Sequence, residues 1–119
     1  MPIRSTSEGE RRPRANDPPV LILTSLAGGE KHGYALLQDI EAFAGVRLGP
    51  GTLYGAISRL EERGLIEPLG TEGRTRPYRL TPAGRATLEA ALAELRVIVD
   101  EGTARLQAPR AARPIGGTT

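Results

Sequence analysis

The chain has 119 residues and no cysteine, and its formal charge of +2 comes from fifteen arginines, one lysine and 14 acidic residues. This length predicts a single domain, and the lack of cysteine excludes disulfides, thiolate catalysis and cysteine-bound zinc. The longest apolar run, residues 20–23, is far shorter than the ~20 residues of a membrane-spanning helix, and the N-terminus has no apolar stretch of signal-peptide length. We therefore expect a soluble, cytoplasmic protein with no membrane contact.

The N-terminal part of the chain divides into an arm and a first helix. Residues 1–16 contain almost no hydrophobic side chains, which predicts a flexible arm. Asp17 is the expected N-cap of the first helix, and Pro18 suits its first position. This helix is apolar nearly all round and ends at Gly28, so we expect it to contact more than one neighbour.

Two further helices follow. Apolar residues at helical spacing predict a second helix over residues 33–44, stopped by Gly45. A third helix is predicted over residues 50–63, begun by Pro50 and closed by Gly64. Its inner face is expected to carry Leu53, Ile57 and Leu60, and its outer face Tyr54, Ser58, Glu61 and Glu62.

After the third helix, the pattern changes to that of two short strands. They predict a hairpin, the wing, over residues 65–80, with Tyr78 and Arg79 on opposite sides of its second strand. Because Pro68 and Pro77 cannot donate a backbone hydrogen bond, we expect both to be edge strands.

A fourth helix is predicted from Pro82 to about Gln107, with Thr81 as its N-cap. Its apolar residues recur in alternating steps of four and three, as in the seam of a coiled coil. The seam could cover only the protein's own core, but a helix of ~26 residues is ~39 Å long, which is more than so small a body can shield. We therefore predict a homodimer, in which the first helix also takes part. The residues predicted to dimerise are Leu21, Leu88, Leu92, Leu95, Val99 and Leu106.

Three short helices followed by a hairpin are the order of a winged helix-turn-helix, in which the third helix enters the DNA major groove. We predict a mainly α fold with a small β-hairpin, divided into an arm (1–16), a winged helix-turn-helix domain (17–81), a dimerisation helix (82–108) and a flexible tail (109–119). Small residues at the start of the third helix would let a phosphate approach its free N–H groups. The predicted DNA contacts are Gly51, Thr52, Tyr54, Ser58 and Arg59 in this helix, and Arg74, Arg76 and Arg79 in the wing.

Three segments resemble the PadR family of bacterial transcriptional regulators: "HGYALLQDI" at 32–40, "GPGTLYGAISRLEERGLIE" at 49–67 and "RPYRLTPAGRATL" at 76–88. The resemblance implies a homodimer that binds a pseudo-palindromic operator in double-stranded DNA and represses nearby promoters until a small molecule releases it. Short members lack a separate C-terminal dimerisation domain, so the long helix is expected to serve instead. Two features depart from the family: Pro77 replaces an aromatic residue of the wing, and the chain has no tryptophan with which some short members hold flat drugs.

Two other classes of function compete with a specific repressor. The winged helix could be a protein-interaction module whose seam recruits a different chain. An enzyme is disfavoured, because no nucleophile, carboxylate pair or metal cluster appears at a useful spacing. We therefore predict no catalytic residue, no metal and no cofactor. His32, the sole histidine, is expected to bond the start of the second helix, and Tyr34 is expected to pack.

Overall fold

The computed structural model describes residues 17–70 and 76–109. The elements are helices α1 (Pro18–Ala27), α2 (Gly33–Ala44) and α3 (Pro50–Glu62), strands β1 (Ile66–Pro68) and β2 (Tyr78–Leu80), and helix α4 (Pro82–Gln107). This order confirms the predicted mainly α fold with a small hairpin and a long C-terminal helix. The predicted arm, residues 110–119 of the predicted tail and Arg74 lie outside the described residues.

Helix α1 is the centre of the hydrophobic core. Asp17 occupies its N-cap position, Pro18 follows, and Gly28 lies at the C-cap. The helix packs against α2, α3, α4 and β2, which is why its sequence is apolar nearly all round. Its buried apolar residues are Val20, Leu21, Ile22, Leu23 and Leu26. Among the described helices, none combines the length and hydropathy needed to span a membrane.

Helices α2 and α3 form the helix-turn-helix. Gly45 ends α2 at φ 70°, a left-handed conformation that glycine adopts without a steric penalty. Helix α3 ends at Glu62, one residue before the predicted end, and Arg63 becomes its C-cap with an N–H that still donates to the Arg59 carbonyl at 3.1 Å. The buried face of α3 consists of Leu53, Ala56, Ile57 and Leu60.

The wing is an antiparallel pair of strands in which Glu67 lies opposite Arg79. On its other side, β2 forms a bridge to Lys31, in the link between α1 and α2. The Tyr78 N–H donates to the Lys31 carbonyl at 2.9 Å, and the Lys31 N–H donates to the Tyr78 carbonyl at 3.2 Å. Both strands are edges of a two-stranded sheet, as predicted, but the outer side of β2 is covered at Tyr78 by this single bridge to a distant segment.

The start of α4 is fixed to the end of α3. The Thr81 hydroxyl accepts from the Gly84 N–H at 3.0 Å and donates to the Gly64 carbonyl at 2.7 Å. The Thr81 N–H also donates to the Leu65 carbonyl at 3.1 Å. A Cβ at Gly84 would overlap that same carbonyl group, so this close approach requires glycine. From this junction α4 runs for 26 residues.

Candidate nucleic-acid interface

The outer surface of α3 displays the five residues predicted there as DNA contacts. Because one side of the helix is buried in the core, the opposite side faces solvent along its whole length. We call this surface the α3 face. Its members, all exposed, are Gly51, Thr52, Tyr54, Ser58 and Arg59.

The α3 face begins at an open helix N-terminus. Gly49 is the N-cap and has no side chain to satisfy the first backbone N–H groups, and Pro50 follows it. The first turn carries no acidic residue, and a Cβ built on Gly51 would meet no described atom within 4 Å. The N–H groups of Gly51 and Thr52 are among those that lack acceptors within a helix. Together with the helix dipole, they offer a site suited to a phosphate.

Tyr54 belongs both to the α3 face and to the contact between α2 and α3. Its ring lies directly over Gly33, at the first residue of α2, so that a Cβ there would overlap the tyrosine hydroxyl. The side chain is nevertheless 46% exposed. Sequence reasoning identified the outward position of Tyr54 but missed the packing on Gly33, for which the glycine at the start of a helix was the available signal.

Arg59 lies along the α3 face. Its Nη1 atom is 3.9 Å from the position that a Cβ on Gly55 would occupy, so the guanidinium folds back over a glycine one turn earlier. Together with Arg63, it also borders a groove of about 750 Å³ between α1, α3 and α4. We call this the three-helix groove. Its floor is largely apolar, with Val20, Leu23, Leu60, Leu65 and Ala91 among the lining residues.

The basic residues of the described chain fall into two groups, those with a carboxylate partner and those without. Lys31, Arg47, Arg79, Arg96 and Arg105 each have a carboxylate within 4.0 Å. Within residues 17–70 and 76–109, no such partner exists for Arg59 and Arg63 of α3, Arg76 before β2 or Arg85 in the first turns of α4. The described cations without such a partner thus lie at α3, before β2 and in the first turns of α4, although Glu61 and Glu62 of α3 also have no cation within 4.0 Å in the described chain.

The two described wing arginines differ in their surroundings. Arg79 forms an ion pair with Glu67 across the hairpin, with its Nη2 and Nε atoms 2.7 and 3.0 Å from the same carboxylate oxygen. Arg76 is half-buried and has no carboxylate partner in the described part of the chain. Of these two predicted contacts, only Arg76 therefore presents an unbalanced charge.

The predicted dimerisation residues fall into two groups. Leu21 and Leu88 are 3% and 5% exposed and lie in the chain's own core. The remaining residues, Leu92, Leu95, Val99 and Leu106, leave that core, and Leu106 is 84% exposed. We call these four residues the α4 seam. Val97 and Ile98 are also exposed, although they lie off the seam, and sequence reasoning did not select them.

Two aromatic or titratable residues differ from expectation. Tyr34 was expected to pack, but it is 69% exposed on α2, because the core-facing positions of that helix are taken by Leu36 and Ile40. His32 bonds the start of α2 through its backbone carbonyl, which accepts from the Leu36 N–H at 3.0 Å, and not through its side chain.

The described residues contain no group of three side chains suited to holding a metal ion.

A helix-turn-helix with a two-stranded wing and an open, arginine-bearing third helix defines a winged-helix transcriptional regulator. Comparison with models of protein families gives a match to the transcriptional regulator PadR-like family over residues 22–90. The chain belongs to this family, as its motifs predicted, and its class is that of transcriptional regulators, not of enzymes. The match includes the helix-turn-helix, the wing and the first turns of α4.

Individual relatives agree with this assignment. The transcriptional regulator Rv3488 of Mycobacterium tuberculosis is 47% identical over 70 residues, which are 56% of this chain and 64% of that protein. An uncharacterized 37.1 kDa protein in transposon TN4556 of Streptomyces fradiae is 55% identical over 76 residues, 64% of this chain but 22% of its own length. The chain thus spans less than two thirds of either relative. The crystal structure of a PadR family transcription regulator from Clostridium difficile R20291 superposes with a TM-score of 0.64 at 28% identity, covering 75% of this chain and 97% of that one.

Proposed function

We propose that this protein is a homodimeric, sequence-specific DNA-binding repressor that acts in the cytoplasm on nearby promoters. The observation that carries the proposal is the coincidence of an open helix N-terminus with an arginine on the α3 face, Arg59, that has no carboxylate partner among the described residues. A helix used only for packing has no need of either feature. Both are what a helix requires to approach the phosphates and base edges of a duplex.

In this proposal α3 lies in the major groove. The backbone N–H groups of Gly51 and Thr52 donate hydrogen bonds to a phosphate at the helix N-terminus. The Tyr54 hydroxyl lies beside them, and Arg59 contacts base edges. Gly55, one turn before Arg59, leaves room for the guanidinium to move along the helix. Arginine bidentate to guanine is the commonest specific contact of this kind, so Arg59 is the residue that we expect to read sequence.

The wing contributes affinity without reading sequence. Arg76 is the described wing residue best suited to a phosphate, because its charge is not balanced within the described chain. Arg79 contributes less, since Glu67 already neutralises it. Arg74, which lies outside the described residues, remains a proposed contact.

The α4 seam is proposed to pair with the seam of a second copy. Exposed leucine and valine side chains at coiled-coil spacing gain free energy when a partner helix covers them. A twofold dimer presents two α3 faces to one side of a duplex, and it binds a pseudo-palindrome when they are about 34 Å apart. Leu21 and Leu88 support this interface from within the core.

The three-helix groove is the proposed site of release by a small molecule. Its apolar floor suits an organic body, and Arg59 and Arg63 at its border suit an anionic group, although Asp17 also lines it. A ligand bound there would engage Arg59 and so compete directly with DNA. Mobility of Arg59 between the groove and the α3 face would then couple effector binding to release.

The experiment begins with the identification of the operator. Purified full-length protein is incubated with fragmented genomic DNA of its source, and the bound fragments are sequenced. Fluorescence anisotropy then compares one bound fragment with a scrambled duplex over a salt series. We expect Arg59→Ala to weaken operator binding by about 1–3 kcal/mol, with little change on the scrambled duplex. Arg105→Ala, which removes an exposed charge far along α4, is the matched control.

Equal affinity of the native protein for both duplexes at every salt concentration would contradict a sequence-specific regulator. A reporter gene placed behind the identified fragment distinguishes repression from activation, because a repressor lowers expression when it is supplied.

A second candidate function is a protein-interaction module without specific DNA binding. The exposure of Val97 and Ile98, off the α4 seam, favours it, since a symmetric coiled coil does not need apolar residues on that side. Light scattering of the purified chain followed by a gel shift distinguishes the two functions. A monomer that does not shift DNA would support the interaction module, whereas a dimer that shifts the operator supports the repressor.

A further inference from the structure

Lys31, the only lysine of the chain, lies in the link between α1 and α2. Its ammonium donates to the carbonyl oxygens of Ser25 at 2.6 Å and Gly29 at 3.2 Å, and it is 4.0 Å from the Asp39 carboxylate. The buried Ser25 hydroxyl donates to the same Asp39 oxygen at 2.6 Å. The ammonium therefore ties the C-terminal end of α1 to the middle of α2.

The main chain of Lys31 makes a separate connection. Its N–H and C=O exchange a pair of hydrogen bonds with Tyr78 in β2, at 3.2 and 2.9 Å. Tyr78 in turn lies opposite Pro68 in the hairpin. One residue thus connects α1 to α2 with its side chain and holds the wing with its backbone.

The chemistry of this site explains why lysine occupies it in a chain that otherwise uses arginine at every basic position. Two carbonyl oxygens and a carboxylate converge on one point, which suits the compact ammonium with its three rotatable donors and not a planar guanidinium. The Ser25 carbonyl belongs to the last turn of α1, at the negative end of the helix dipole. The Lys31 side chain is only 20% exposed, so these charge-assisted bonds are partly shielded from competing water.

We infer that Lys31 is a positioning residue for DNA binding, which fixes the wing relative to α2, on whose first residue Tyr54 of α3 packs, so that Arg76 and the α3 face can contact one duplex together. This inference rests on the proposed function for its effect on DNA. The link from Lys31 to the wing is measurable without DNA. The first experiment below therefore tests this link alone, and the second tests its effect on DNA binding.

The first experiment measures amide hydrogen exchange by NMR in the full chain. Lys31→Met keeps the aliphatic length but removes the charge, and Arg105→Met, at an exposed i,i+4 ion pair, is its matched control. We expect exchange of the Tyr78 amide to accelerate about tenfold or more in Lys31→Met, because local opening no longer has to break a charged hydrogen bond. Exchange of the Ile22 amide in the core should be unchanged. Unchanged exchange at Tyr78 would overturn the inference.

If the methionine variant does not fold, Lys31→Gln replaces it, because glutamine keeps a donor for the Ser25 carbonyl while losing the charge. Exchange of the Tyr78 amide is then also expected to accelerate, but by less than the loss of the whole ammonium group would cause. No acceleration with glutamine would count against the inference in the same way.

The second experiment is a double-mutant cycle on DNA. The probe is a fluorescein-labelled duplex of random sequence about 30 bp long, enough for two half-sites. We expect Arg76→Ala to reduce the slope of log affinity against log salt by about one in the native chain, and by less than half of that in Lys31→Met. Equal effects in both backgrounds would overturn positioning by Lys31. If the native chain binds no duplex, the proposed function fails, and the exchange experiment still decides whether Lys31 holds the wing.

Discussion

Gly33→Ala provides a test of the arrangement between α2 and α3. The new Cβ would overlap the hydroxyl end of the Tyr54 ring. This is the far end of a flexible and half-exposed side chain, so the ring can swing away. The loss of its packing is partly offset because alanine loses less conformational freedom than glycine, a gain that is about 0.5–1 kcal/mol in the middle of a helix and smaller at its first residue. We therefore expect the free energy of unfolding to change by less than about 1 kcal/mol, measured by urea unfolding followed by circular dichroism.

DNA binding should respond more strongly than stability to the same change. Displacement of Tyr54 removes its hydroxyl from the α3 face, and a typical net hydrogen bond is worth about 0.5–1.5 kcal/mol. Operator affinity in fluorescence anisotropy should therefore fall by up to about tenfold.

The Tyr54→Ala background supplies the control, because the overlap is absent there. In that background Gly33→Ala should stabilise the protein or leave it unchanged, with no further loss of affinity. If Gly33→Ala lowers operator affinity equally with and without the Tyr54 ring, the overlap with that ring is not the cause of the loss.

The remaining predictions concern the wing, the α4 junction and the dimer. Arg76→Ala should lower affinity for all duplexes and reduce the slope of log affinity against log salt by about one. Arg79→Ala should reduce this slope less, because Arg79 is already paired with Glu67. Anisotropy over a salt series measures both slopes, and equal reductions would contradict the view that only Arg76 carries an unpaired charge. Gly84→Ala should destabilise the protein by about 1–3 kcal/mol, because the new Cβ meets backbone and not a movable side chain, and an unchanged urea midpoint would show that α4 can shift freely. Leu95→Arg should abolish dimerisation and tight operator binding by placing an unpaired charge in the seam, and an unchanged mass in light scattering would locate the interface elsewhere.

The helices were predictable because a few adjacent residues determine where each one begins and ends. Gly45 and Gly64 stop the second and third helices with positive φ angles, and Thr81 caps the fourth with its own hydroxyl. These are local events, and a sequence pattern contains all the information that they need. The outward position of Tyr54 followed in the same way from the period of α3.

Contacts between distant segments were not predictable. The pairing of Lys31 with Tyr78 joins the α1–α2 link to the wing, and nothing in either segment's own pattern indicates it. The ion pair of Arg79 with Glu67 depends on the register of the hairpin, which a loop of unknown geometry leaves undetermined. Tyr34 was assigned to packing by its residue type, although the inward positions of α2 were already filled by aliphatic side chains.

The bonds of Thr81 to Gly64 and Leu65 make α4 a lever arm attached to the end of α3. An arm about 39 Å long that tilts by about 10° moves its far end by about 7 Å. In the proposed dimer, a comparable tilt where the two α4 helices meet would therefore alter the spacing of the two α3 helices enough to lose the match to a fixed DNA repeat. Small changes in how the α4 helices of the proposed dimer meet would thus decide whether it fits the proposed operator, without any change inside the winged domain.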